Sequence, residues 1–169
     1  MKNAGAVAVE KPDDYEARAS IMWASSLSHN GLTGCGKTVR RMPAHQLEHG
    51  LSARFDRIAH GAGLAVMFPA LAEYLCRYDV RRYCQLAVRV WGVPMNFEHP
   101  ELTALEGIET MKAYFKSIGM PTTLRELDVP ENTWEEIADM ITAGGTATVH
   151  TEYMQLGKKE VLEIFALAR

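Results

Sequence analysis

The chain has 169 residues, 47% of them hydrophobic and 23% charged, and a formal net charge of -3. That length suits one domain spanning 1–169 with a hydrophobic core of its own, and the composition excludes a disordered or fibrous polymer. The slightly acidic balance supplies no basic field for nucleic acid. Lys37 with Arg40 and Arg41, and the pair Arg81 and Arg82, read as solvated helix ends.

The first nine residues hold too short an apolar run for a signal core. The most apolar stretch, Gly61 to Ala72, is too short to cross a bilayer, so no membrane partner is expected. Lys11-Pro12-Asp13-Asp14 has the proline and acids of a helix start. The helix it opens is expected to end at Asn30-Gly31, with His29 capping it. Leu32 to Val39 reads as a loop, and Pro43 opens a second helix. Past His60-Gly61, Leu64 to Leu75 is apolar all round, as in a central helix, and Pro69 predicts a kink rather than a break. Asp79 to Trp91 is amphipathic and is stopped by Gly92-Val93-Pro94. Pro100 to Ile118 is a further helix, closed by Gly119-Met120-Pro121. Thr122 to Leu127 predicts a short helical turn, Glu131 to Ala143 a full helix, and Lys158 to Ala168 the last one. Between them Thr146 to Tyr153 is strand-like in composition; without a visible partner it reads as an extended loop. Seven or so helices and no alternating strands make the expected fold all-α, a helical bundle.

Three cysteines, Cys35, Cys76 and Cys84, form no CxxC pair, so a reducing, cytoplasmic setting is expected rather than a disulfide framework. No GxGxxG follows a strand and GxSxG does not occur, while the glycine run Gly34-Cys35-Gly36-Lys37 lacks the preceding strand of a phosphate-binding loop. Trp23, Trp91 and Trp134 read as core or interface anchors, the nine methionines as core filling, and His99 and His150 as solvated.

What stands out is the span from Met42 to Gly63, which holds three of the chain's six histidines. His45 and His49 are one helical turn apart and share a face. His60 follows within reach of that face, so the three imidazoles are candidates for a transition-metal site. His45-Gln46-Leu47-Glu48-His49 also matches HxxEH, in which two histidines hold zinc and the glutamate activates water. A metallohydrolase of that kind needs a further ligand, such as Glu73 or Glu106.

Several blocks together resemble the iron-containing alcohol dehydrogenases, specifically their butanol dehydrogenase-like branch. These are Asp14 to Ser25, His45-Gln46-Leu47-Glu48-His49-Gly50-Leu51-Ser52-Ala53, Ala59-His60-Gly61-Ala62-Gly63-Leu64-Ala65, Ser117 to Leu124, and Leu156 to Ile164. The resemblance covers nearly the whole chain. It implies the C-terminal, all-helical metal-binding domain of a two-domain enzyme, without the α/β cofactor-binding domain. The implied activity is hydride transfer between NAD(P)(H) and a small primary alcohol or aldehyde. The resemblance also implies iron (Fe2+) or zinc held in part by His45 and His60, with His49 beside the ion as the catalytic proton relay rather than a ligand. In that family an aspartate and a histidine on an earlier helix complete the metal shell. No DxxxH lies upstream of His45, and the family's glycine-rich phosphate loop is absent. The chain alone is therefore expected to be inactive, and to pair as a homodimer or with a separate cofactor-domain chain. The other reading is a catalytically dead helical fragment that serves in oligomerisation or interaction.

Overall fold

A computed structural model describes residues 1–36 and 41–169. Lys37 and Arg40, and with them the end of the predicted loop, lie outside the described residues. The chain divides into two compact units, Met1–Arg40 and Arg41–Arg169. Eight α-helices, three short 3-10 turns, one π turn and one two-stranded hairpin make up the regular structure of the described residues. The chain is all-α, as its sequence predicts.

The first unit is a helical pair, α1 (Lys2–Glu10) and α2 (Tyr15–His29). Composition gave no reason to expect α1, which buries none of its residues and has no side-chain cap. By contrast, α2 starts where the acids predict: the Asp14 carboxylate accepts the Ala17 backbone N–H at 2.8 Å, filling one of the orphan donors of a helix start. Its C-cap is Asn30 rather than His29, whose Nδ1 instead lies 3.0 Å from Ser28 Oγ. Trp23 is 67% exposed.

In the second unit α3 (Pro43–Arg54) opens on its proline, placed where a missing N–H costs nothing. Next comes α4 (His60–Leu75), one continuous helix with Pro69 inside it. Asp79 caps α5 (Val80–Leu86), accepting the Arg82 N–H at 3.2 Å. The predicted amphipathic segment does not stay α-helical to its end: Ala87–Trp91 is a π turn, closed by Gly92 at φ 78°. Pro100 begins α6 (Pro100–Ser117), and Gly119 leaves it at φ 77°, a conformation that side-chain-bearing residues adopt at a cost. Thr122 to Leu127 is a hydrogen-bonded turn instead of a helix. The Glu126 carboxylate accepts the Thr122 and Thr123 N–H groups at 2.7 and 3.2 Å, satisfying amides that would otherwise start a helix. A 3-10 turn at Glu131–Thr133 leads into α7 (Trp134–Ile141).

The strand-like run does find a partner. Strands β1 (Val149–His150) and β2 (Gln155–Leu156) pair antiparallel, with Val149 opposite Leu156. The expectation of a lone extended loop fails because the four residues Thr151 to Met154, with Thr151 Oγ1 accepting the Tyr153 and Met154 N–H groups, fold the chain back within hairpin reach. The Glu160 carboxylate then accepts the Gly157 N–H at 2.8 Å and starts α8 (Lys158–Leu167).

Two apolar clusters flank α4. On one side Val66, Met67, Ala70 and Leu71 pack with Leu47 and Leu51 of α3, Ile137 of α7, and Ile164 and Phe165 of α8. On the other, Ala72 and Cys76 meet Ile108 and Met111 of α6. The apolar character of α4 on every side follows from this central place, each fully buried aliphatic contributing about 1.5–3 kcal/mol. Among the described residues no helix is long and apolar enough to cross a membrane.

Candidate metal centre

The buried stripe of α3 runs through Ala44, Leu47, Glu48 and Leu51, at the i, i+3, i+4, i+7 spacing of one helix face. Docking that stripe into the core turns His45 and His49 toward its rim, His45 half-buried and His49 exposed. Between α3 and α4 the chain reverses in five residues. Ile58 is buried, Arg57 donates to the carbonyls of Leu127 and Asp128 at 3.3 and 2.6 Å, and its guanidinium sits 4.8 Å above the Phe55 ring. The connector is thus fixed at both its apolar and its polar contacts. It delivers His60 as the first residue of α4.

The three imidazoles meet. The ring centroid of His60 lies 5.1 Å from that of His45 and 5.3 Å from that of His49, with 6.3 Å between the α3 pair. Ligand-type atoms of Glu48, His49 and His60 fall within 4.8 Å of one another. His45 joins the group through its proximity to His60. Glu48 is entirely buried, and its Oε2 is hydrogen-bonded to His60 Nδ1. Its other oxygen, Oε1, has no hydrogen-bond partner among the described residues.

Of the two candidates for the further ligand that the HxxEH reading needs, Glu73 instead receives Lys112 Nζ at 2.9 Å, and Glu106 is exposed on α6. Glu48 itself is shut away from solvent and held by His60, where a base activating bulk water has no access. The pairing of Glu48 with His60 is the part of the site that motif reading misses. Its signal was in the sequence all the same: a glutamate standing on the apolar stripe of α3 must be paired to be tolerated there.

Two cavities adjoin the cluster. One of about 510 Å³ has His45 on its wall and is otherwise lined mainly by apolar side chains, among them Phe68, Leu71, Phe115 and Met120. The other, about 400 Å³, has His49 on its wall together with Met140 and Thr148. A larger hollow of about 820 Å³, lined by Arg125, Asp128, Trp134 and Arg169, contains none of the histidines. Size therefore does not mark the chemistry here. Of the remaining predicted residues, Trp91 and Trp134 pack against the two cores, and His99 and His150 are exposed.

The donor set fits a divalent transition metal. Imidazole nitrogens are ligands that Fe2+ and Zn2+ take, and a carboxylate on the far nitrogen of one imidazole is the usual way a histidine ligand is oriented. Oε1 of that carboxylate is a buried polar atom that no hydrogen bond among the described residues satisfies.

The model of the Fe-containing alcohol dehydrogenase family, C-terminal part, matches residues 2–168. The NADH-dependent butanol dehydrogenases A and B of Clostridium acetobutylicum are 40% identical over 162 residues and 39% identical over 165. Each match covers 95% of this chain and 41% of the relative, so the chain spans about two-fifths of their length. The crystal structure of NADH-dependent butanol dehydrogenase A from Thermotoga maritima superposes with a TM-score of 0.86 at 34% identity, over 95% of this chain and 41% of that one.

Proposed function

Because the chain belongs to the Fe-containing alcohol dehydrogenase family, matching its C-terminal part, we propose that it is the metal-binding, substrate-facing portion of an NAD(P)H-dependent alcohol dehydrogenase or aldehyde reductase. Its substrate in this reading is a small primary alcohol or aldehyde. The observation that carries the reading is the clustering of the His45, His49 and His60 rings, two from α3 and one from the start of α4, with centroids 5.1–6.3 Å apart.

His45 and His60 hold the metal ion, iron or zinc, and His49 stands beside it. Spacing does not separate His45 from His49 as a ligand; the resemblance to the family does. A bound divalent ion supplies Lewis acidity to the substrate oxygen, and a nicotinamide cofactor supplies or accepts the hydride. His49 is exposed at the rim, so a ring nitrogen can take the proton released by the alcohol and pass it to solvent. The apolar cavity against His45 receives an aliphatic chain and keeps water from it. The described residues contain one two-stranded hairpin and no parallel βαβ unit. Nicotinamide binding is accordingly assigned to another region, in a longer chain or in a partner, and the substrate meets the cofactor across that junction.

Titration of the purified chain with Zn2+ tests the metal assignment. H45A and H60A are each expected to weaken binding about tenfold or more, and H49A to leave it nearly unchanged. Binding by H45A or H60A as tight as in the unsubstituted chain overturns the ligand assignment. With zinc or iron bound, the 169-residue chain is expected not to oxidise NADH or NADPH with butyraldehyde. Steady turnover by this chain alone overturns the division of labour. A stable dimer by light scattering that takes up no metal favours instead a helical interaction module.

A further inference from the structure

We infer that Glu48 is the positioning residue of the histidine cluster: from a slot left open by Gly63, its carboxylate holds His60 at Nδ1 and so leaves Nε2 as that ring's one lone pair. This rests on the metal reading above and adds to it a residue with no ligand or proton-relay role.

Three observations carry the inference. Glu48 is completely buried on the apolar stripe of α3, where a carboxylate costs stability unless it is paired. Its only side-chain hydrogen bond among the described residues is to His60 Nδ1, while Oε1 stays orphaned. Gly63, one turn into α4, makes the space. A Cβ there would stand 2.6 Å from Glu48 Cγ and 2.7 Å from Oε1, closer than any side chain tolerates. The two helices thus approach so that a glutamate fits and any residue larger than glycine at position 63 does not.

The effect falls on the ring that needs it. The His60 side chain is 46% exposed and sits at the start of a helix with no side-chain cap, so packing does little to fix its rotation. It is also the apex of the triangle, nearer to His45 and to His49 than those two are to each other. An ionised carboxylate only accepts, so Nδ1 carries the hydrogen and Nε2 is free to ligate; the opposite tautomer would block Nε2 with a proton. The negative charge behind the ring also strengthens the imidazole as a donor to a cation.

The test uses the full chain, long-range 15N–1H spectra of the histidine rings under mildly alkaline conditions, and Zn2+ titration. The unsubstituted chain is expected to show His60 as the Nδ1–H tautomer. E48A removes the carboxylate and leaves a hole; E48A/G63A refills part of that hole with a methyl group, so packing is restored without the charge. The double variant is expected to melt cooperatively, to show mixed His60 tautomers, and to bind Zn2+ about 10–100-fold more weakly. E48Q, which keeps the shape and one acceptor, recovers part of that loss. A folded E48A/G63A variant with unchanged zinc affinity overturns the inference. So does an unsubstituted chain whose His60 is the Nε2–H tautomer or a mixture, a readout independent of whether any variant folds. If H45A and H60A weaken zinc binding while E48A/G63A does not, the role of Glu48 alone fails. If H45A and H60A bind zinc as the unsubstituted chain does, the metal reading fails with it.

Discussion

Tyr74 shows how a single side chain ties two helices and sets a pH dependence. Its hydroxyl donates to Glu163 Oε2 at 2.9 Å, linking α4 to α8. Burial, and then that carboxylate, push its pKa from 10.0 up to about 12. A phenol with a raised pKa keeps its proton in the folded state where the unfolded chain has lost it. Its contribution is therefore complete below pH 10 and disappears as the pH rises from about 10 to about 12. Chemical denaturation across that window is expected to show stability falling with pH, and Y74F to flatten the fall. A Y74F slope equal to that of the unsubstituted chain would sink this account. At this scale His45 and His49 were legible from spacing, because i and i+4 residues of a helix share a face whatever the rest of the chain does. Glu48 was legible as a motif member and as a carboxylate on an apolar stripe that needs a partner, but not by the identity of that partner. Its true partner is 12 residues away, and no local pattern specifies that contact.

Between elements, α6 approaches the π turn closely. A Cβ on Gly107 would lie 2.3 Å from Ala87 Cβ and 2.8 Å from Ala87 Cα, so a backbone, not a flexible side-chain tip, would have to move. G107A is expected to lower stability by about 1–3 kcal/mol through overpacking, despite alanine's better helix propensity. Thermal melting checks this; a raised Tm would mean that propensity outweighs contact. The π turn also explains why the amphipathic run Asp79 to Trp91 read as one helix. One extra residue per turn shifts the apolar face without interrupting it, and hydrophobic spacing does not register the change. The β1–β2 hairpin and α1 were missed for related reasons. Two-residue strands are too short for alternation to show, and a helix without buried residues has no apolar stripe to find.

At the level of the whole molecule, the hydrophobic burial is distributed unevenly. Of the buried hydrophobic side chains among the described residues only Ala17 belongs to residues 1–36; all the rest, and the three clustered histidines, belong to residues 41–169. A fragment of residues 41–169 is expected to unfold cooperatively and to bind Zn2+ as the full chain does. Calorimetry and zinc titration of that fragment check it, and a broad, non-cooperative transition would show that the first unit is needed for folding. The family model nonetheless runs from residue 2 to 168 across both units.

The sequence by itself determined the all-α class, most helix spans and their ends, and the face of α3 that carries His45 and His49. These follow from 3.6-residue spacing, proline and glycine positions and capping acids, all of which act within a few residues. Only the tertiary structure decided that His60 closes the triangle, that a buried Glu48 stands behind it, and that an apolar cavity opens beside His45. Each of these depends on how closely α3 and α4 approach, and that distance is set by packing at Gly63 and in the core rather than by any local preference.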